Sequence, residues 1–159
     1  MFRDAGAEII VHEDEYRHVM DMEEDHANFF NRKDWAFLGD DKPTLVSGES
    51  TELAQDVRLV SLPGHTPGQM GLLVRLEHTG WVLLTSDAMY HHENYAEPSA
   101  EPQIYWDIDH WRSSLGKIKQ IARDHEALLF PGHDETGIQH FGGKDELKKI
   151  EFWPRYIYE

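Results

Sequence analysis

Two histidines in this sequence stand in the same frame: an apolar run, then Pro-Gly, then His. Val57-Arg58-Leu59-Val60-Ser61-Leu62 leads into Pro63-Gly64-His65-Thr66-Pro67-Gly68, and Leu128-Leu129-Phe130 leads into Pro131-Gly132-His133-Asp134. Between them Trp81-Val82-Leu83-Leu84-Thr85 leads into Ser86-Asp87-Ala88-Met89-Tyr90. Short apolar or alternating runs closed by Pro or Gly read as strands. Each of the three strings therefore puts a metal-capable side chain at a strand exit. The separations, 22 residues from His65 to Asp87 and 46 from Asp87 to His133, suit no sequence-local metal loop. If these groups act together, a sheet must bring its strand ends to one place.

The rest of the chain supplies the elements such a sheet needs. Ala7-Glu8-Ile9-Ile10-Val11 predicts a short buried strand. Tyr16, Val19, Met20 and Glu23 at helical spacing predict a mostly polar helix over 14–24. The stretch 25–41 mixes aromatics with charges and has no clear period; a helix continuation followed by a pocket-wall loop is one reading. From Leu45 onward the pattern is strand-like. Met70 to Leu76 and Trp81 to Thr85, joined by Glu77-His78-Thr79-Gly80, predict a hairpin. Asp107 or Asp109 is placed to cap a helix carrying Trp111, Leu115, Ile118 and Ala122 on one face. Lys144 to Ile150 suggests a terminal helical turn before an aromatic tail. No repeat, low-complexity tract or linker interrupts the chain, which predicts one structural unit over 1–159.

Composition narrows the function. The 159 residues, 40% hydrophobic with five Trp, seven Phe and six Tyr, suffice for one domain with a core. Against 15 Lys and Arg stand 30 Asp and Glu, a net charge of −15. Such a surface repels phosphate backbones and anionic lipids, which argues against nucleic-acid and membrane partners; solubility alone accounts for the charge. The absence of Cys excludes disulfides, thiolate zinc sites and a Cys nucleophile. No apolar run reaches the length of a membrane span, and no signal core follows Met1. The expectation is a soluble, cytoplasmic protein.

Each candidate has an ordinary reading beside the functional one. A lone His is more often a surface or hydrogen-bonded residue than a ligand. The Gly and Pro around His65 make a stiff frame of the kind that holds an imidazole in one direction. Asp87 has two readings, a helix cap or, with lone pairs on two oxygens, a bridge between two cations. Tyr90 is a packed wall aromatic or a donor to a developing oxyanion. His91 and His92 are expected as exposed loop residues; His12, His18, His26, His78, His110, His125 and His140 lack a comparable frame and are expected mostly at the surface. The pair of matching frames with an Asp between them favours part of a metal-dependent hydrolase site.

Taken together, these strings resemble the metallo-β-lactamase superfamily, specifically its N-acyl-homoserine lactonase-like branch. The resemblance covers Glu8 to Val11, Pro63 to Gly68, Leu83 to Tyr90, Pro131 to Asp134 and the Trp153-Pro154-Arg155-Tyr156-Ile157 ending. It implies an α+β fold, the αββα sandwich, of which the N-terminal strands are absent from this chain. It implies metal ligation by His65, Asp87 and His133, with His65 on one ion, His133 on the other and Asp87 bridging. Zinc would be the usual ion, two per complete site. Tyr90 and Asp87 are the implied catalytic residues: lactone ring opening by a metal-bridged hydroxide, with Tyr90 steadying the carbonyl oxygen. The substrate would be a small lactone or ester, and a homodimer is one assembly the family uses.

One departure is large. The family's HxHxDH motif, which supplies further ligands to both ions, occurs nowhere in the sequence. What remains is one exclusive ligand per ion plus Asp87, against the three protein ligands of a typical catalytic zinc. This 159-residue chain is thus expected to be inactive or weak by itself, and Met1 is expected to be an internal methionine of a longer enzyme rather than a true start. The alternatives are a short product that pairs with another chain, a non-catalytic domain that binds a partner or small ligand, and a thioester hydrolase of the glyoxalase II kind.

Overall fold

Strand pairing gathers the middle of the chain into one five-stranded sheet. The computed structural model describes residues 6–22, 30–31, 35–39, 42–96 and 101–133. In chain order these form β1 (Ile10–His12), α1 (Glu13–Asp21), a 3-10 turn (Ala36–Gly39), β2 (Thr44–Val46), β3 (Ser50–Ala54), β4 (Val57–Ser61), β5 (Met70–Leu76) and β6 (Gly80–Ser86). They are followed by α2 (His92–Ala96), α3 (Ile108–His125) and β7 (Leu128–Pro131). The sheet order is β3-β4-β5-β6-β7, while β1 and β2 form a separate parallel pair.

The direction of each strand fixes where the site must be. β4 and β6 both pair antiparallel with β5, so they run parallel to each other; β7 pairs parallel with β6. The three strands that precede His65, Asp87 and His133 therefore end at the same edge of the sheet. β5, running the other way, carries no candidate.

Both faces of this sheet are apolar, as a layered α+β architecture requires. Leu73, Leu83 and Leu129 lie opposite one another across β5, β6 and β7. They join the core with Trp111, Leu115 and Ile118 of α3, all buried. On the alternate face Leu59, Leu72, Leu84 and Phe130 form a second apolar row across β4 to β7. Strands apolar on both faces lose the apolar–polar alternation of a surface sheet, and β5 and β6 read in this way, although the second row is only half-buried.

α3 starts where its cap dictates. Asp107 has extended backbone and its side chain accepts the His110 N–H at 2.9 Å. Asp107, not Asp109, is the cap. The helix ends at Glu126, which takes a left-handed conformation and returns its N–H to the Ala122 and Arg123 carbonyls.

Two expectations need correction. The first strand runs over Ile10–His12, not from Ala7, because its partner β2 offers only three residues to pair with. His12 is buried rather than at the surface: it caps α1, and its Nδ1 accepts the Asp14 N–H. The helix anticipated over 14–24 is α1. The terminal turn over 144–150, the Trp153 to Ile157 ending, Asp134, His26, His140 and most of 25–41 lie outside the described residues. Among the described residues no helix is long and apolar enough to cross a membrane.

Candidate metal centre

His65 sits on a loop held from several directions. Leu62 N–H bonds the Gln69 carbonyl at 2.8 Å and closes the loop at its base. Gly64 has φ +138°, a conformation that side chains resist, and its Cα packs against the backbone of Trp111. The Gly64 carbonyl accepts from the N–H groups of Trp106 and Asp107, at 2.8 and 3.0 Å, tying the loop to the start of α3. Ser114, buried on α3, donates its hydroxyl to the Pro63 carbonyl at 2.6 Å. The Pro and Gly of the motif thus let the loop press onto a helix.

Asp87 is aimed by a sharp exit from β6. Ser86 adopts a left-handed backbone (φ +49°), unusual for a residue with a side chain. The β6–β7 register shifts between Leu84 and Ser86, an irregularity of the kind that redirects a strand end. Buried Thr85 braces the turn: its hydroxyl lies 3.2–3.3 Å from the carbonyls of Ser86, Met89 and Phe130. β7 is locked to the same turn, with Gly132 N–H on the Met89 carbonyl and His133 N–H on the Tyr90 carbonyl, both 3.0 Å. Gly132 has no room for a side chain, since a Cβ there would come within 2.8 Å of Asp87 Oδ1.

These holds bring the four sequence candidates together. Asp87 Oδ2 lies 3.3 Å from His65 Nε2, and its Oδ1 lies 3.1 Å from His133 Nε2. The Tyr90 hydroxyl is 2.7 Å from His65 Nδ1, and its ring packs 4.9 Å from the His133 ring. The Ile104 carbonyl is 3.2 Å from His65 Nδ1 and 3.4 Å from the Tyr90 hydroxyl. Burial, with the Asp87 carboxylate second, pushes the Tyr90 phenol up to about 12. At neutral pH it keeps its proton and can donate it.

The geometry suits metal ligation on two counts. Two donors bound to one tetrahedral zinc, each about 2.0–2.2 Å from it, stand roughly 3.3–3.5 Å apart. Both Asp87–His separations fall at or just below that span, and each uses a different carboxylate oxygen. Second, a ligating imidazole binds through one nitrogen while the other donates to an acceptor, often a backbone carbonyl. With Nε2 towards Asp87, His65 has the Ile104 carbonyl to receive Nδ1–H. The same distances also suit direct hydrogen bonds in the metal-free chain. The arrangement gives two pairs sharing one carboxylate. Among the described residues no group of three or more His, Asp or Glu side chains is placed to hold one ion.

Beside this cluster opens a cleft of about 560 Å³, walled by Tyr90, His133, Asn94, Pro102 and Ile104. Glu101 also lines this cleft. A cleft of about 600 Å³ lies beyond Pro63 and Pro67, against α1 and Trp106, and contains none of the candidates. His91 is exposed, as expected, with its N–H taken by Asn94; His92, expected in an exposed loop, instead begins α2 and is half-buried. Sequence reasoning did not find Ile104, Thr85 or Ser114. Ile104 acts through its backbone, which leaves no mark in a sequence. Thr85 and Ser114 are polar residues inside buried apolar stripes, which is a legible signal.

The chain is similar to N-acyl homoserine lactonases. No family model matches it. It is 37% identical over 100 residues to an N-acyl homoserine lactonase of a Bacillus species, covering 61% of this chain and 39% of that protein. It is 30% identical over 139 residues to the N-acyl homoserine lactonase AiiB of Agrobacterium fabrum, covering 79% of this chain and 48% of that one. Among solved structures it superposes with a TM-score of 0.71 at 29% identity on an N-acyl homoserine lactone hydrolase holding N-hexanoyl-L-homoserine at its catalytic metal centre. That match covers 84% of this chain and 50% of the other. The chain thus spans half or less of each of these proteins.

Proposed function

We propose, for a chain that belongs to the lactonase-like branch of the metallo-β-lactamase superfamily, that its strand-exit cluster is one side of a two-ion centre for opening lactone rings. The observation that carries this reading is Asp87, whose two oxygens each face one imidazole nitrogen. His65 with Asp87 would hold one divalent ion and His133 with Asp87 the other. Imidazole and carboxylate donors suit zinc. Bound ions would supply Lewis-acid activation of water and of the carbonyl.

The chain's own residues then do the positioning. Tyr90, protonated and within reach of both His rings, donates a hydrogen bond to the carbonyl oxygen as it gains negative charge. The cleft beside Tyr90 and His133 takes the substrate. Addition of water across the acyl C–O bond leaves a carboxylate and a free hydroxyl, which for an N-acyl-homoserine lactone is the ring-opened N-acyl-homoserine. The branch's HxHxDH segment would complete both ion sites, so efficient turnover belongs to an assembly that includes it. A cysteine-free chain suits a reducing cytoplasm, and β3, at the sheet edge, is a surface on which a homodimer could form.

A second reading has an observation behind it: two side-chain ligands per ion favour a non-catalytic domain that binds a partner or small ligand. Zinc uptake and lactone opening by the 159-residue chain separate the two. The hydrolase reading expects weak zinc binding that is lost in Asp87→Ala, reduced in His133→Ala, and accompanied by slow ring opening. A chain that takes no zinc and opens no lactone supports either a fragment that lacks the branch's HxHxDH segment or the non-catalytic reading, and the sequence upstream of Met1 separates those two. An in-frame HxHxDH upstream of the Met1 codon would identify the missing ligands.

A further inference from the structure

The first turn of α1 is engaged in an unusual way. Glu15 is the third residue after the N-cap His12. A glutamate at that position often turns back to the amide of its own N-cap. Instead its Oε2 accepts the N–H of Gly68, 53 residues away in sequence, at 2.8 Å. The approach is close: a Cβ on Gly68 would lie 2.8 Å from the Glu15 Cα. Gly68 is itself buried, so its N–H would go without a partner if Glu15 were removed.

This bond closes a frame around His65. One flank of the loop, Pro63 and Gly64, is tied to Ser114, Trp106 and Asp107 at the start of α3. The other flank, at Gly68, is tied to α1 by Glu15. The Leu62–Gln69 bond still closes the base of the loop, but a loop whose Gly68 flank is loosened from α1 shifts, and the imidazole three residues away moves with it. Ligand atoms must be held to within about 0.5 Å for a site to bind or react.

We propose that Glu15 is a positioning residue for His65, acting through the Gly68 amide to hold the imidazole against Asp87. α1 thereby becomes part of the metal centre without touching an ion. The inference rests on the metal reading of His65 above.

The test compares the 159-residue chain with Glu15→Ala, Glu15→Gln and the same-helix control Glu13→Ala, which pairs with Arg17 at the surface. Three quantities are read: exchange of the Gly68 amide, nuclear Overhauser contacts between the Tyr90 and His65 rings in metal-free protein, and zinc affinity by chelator competition. Glu15→Ala should speed Gly68 exchange at least tenfold, weaken the ring contacts and lower zinc affinity about tenfold, the low end for loss of a ligand-orienting partner. Glu15→Gln keeps an acceptor and should restore all three to within about threefold. Glu13→Ala should change none. Intact ring contacts in Glu15→Ala overturn the proposal, as does equal loss in Glu13→Ala. If the wild-type chain takes no zinc, the metal reading loses its support from this chain, and the Gly68 exchange and ring contacts decide this proposal alone.

Discussion

Replacing Gly64 by alanine would put a methyl group where α3 already stands. The Cβ would lie 2.6 Å from the Trp111 Cβ and overlap the Trp111 backbone. Carbon atoms rest about 3.5–4.0 Å apart, so loop and helix must separate by roughly 1 Å. Trp111 is wholly buried in the core, which leaves the loop as the part that moves. Overpacking of this kind costs about 1–3 kcal/mol. The backbone adds to it, because φ is +138° and a side chain there costs about 1–3 kcal/mol more. Together the loss is about 2–6 kcal/mol. At roughly 2–4 °C per kcal/mol for a chain of this size, the melting temperature should fall by about 5–20 °C. Gly116→Ala gives the opposite sign. Gly116 lies inside α3 with nothing within 4 Å of a Cβ, and helix propensity favours alanine by about 0.5–1 kcal/mol. That variant should melt a few degrees higher. Calorimetry of both checks the argument: a Gly64→Ala chain that melts within about 2 °C of wild type would refute the close approach to Trp111.

The remaining predictions test the supports and the phenol. Ser114→Ala removes the hydroxyl that satisfies the Pro63 carbonyl and should cost about 1–2 kcal/mol in denaturant unfolding. Thr85→Val, nearly isosteric, removes the hydroxyl shared among three carbonyls; it should destabilise by about 1–3 kcal/mol, visible as a lower midpoint in urea. Tyr90→Phe should leave zinc affinity unchanged while slowing lactone opening about a hundredfold, the scale of one lost oxyanion donor. The same variant has a pH signature. An unfolded tyrosine ionises near 10. In the folded chain Tyr90 holds its proton up to about 12 because burial and Asp87 oppose the phenolate. Between those values unfolding releases a proton, so wild-type stability falls as pH rises from about 10 to 12. Tyr90→Phe should lose less over that window, and parallel unfolding curves at pH 9 and 11.5 would contradict this.

Much of the sheet was legible because burial leaves a pattern. β4 to β7 are apolar runs bounded by turn residues, and α3 shows its cap and its buried stripe at helical spacing. β3 is mostly exposed and polar, Ser50-Thr51-Glu52-Leu53-Ala54, and its strand character comes from pairing with β4. Nothing in those five residues demands a strand. The short β1 is a similar case: its length is set by β2, 34 residues further on. His12 misleads for a related reason, since a polar side chain can be buried where it satisfies a helix start. Within the site, the side chains at the three strand exits were readable as candidates. The groups that aim them were not, because the Ile104 carbonyl, the Gly68 amide and the Ser86 backbone conformation are main-chain features.

The topology explains why three distant residues can form one cluster without a local motif. An antiparallel meander sends successive strand ends to alternate edges, so β4 and β6 deliver their exits to one edge while β5 delivers its exit to the other. The long connection through α3 then crosses the sheet and returns β7 parallel to β6, placing a third exit beside the second. Neighbouring strands lie about 4.8 Å apart, so β4 and β6 are separated by roughly 10 Å and β6 and β7 by half that. Asp87, one residue past β6, can reach His133, two residues past β7, with little help from the loop. His65 must cross the larger gap, and it lies four residues beyond β4. That distance is why its loop carries the tight Gly64 turn and takes ties from Ser114, Trp106, Asp107 and Glu15, and why substitutions along this loop should disturb the centre more than equal changes beside His133.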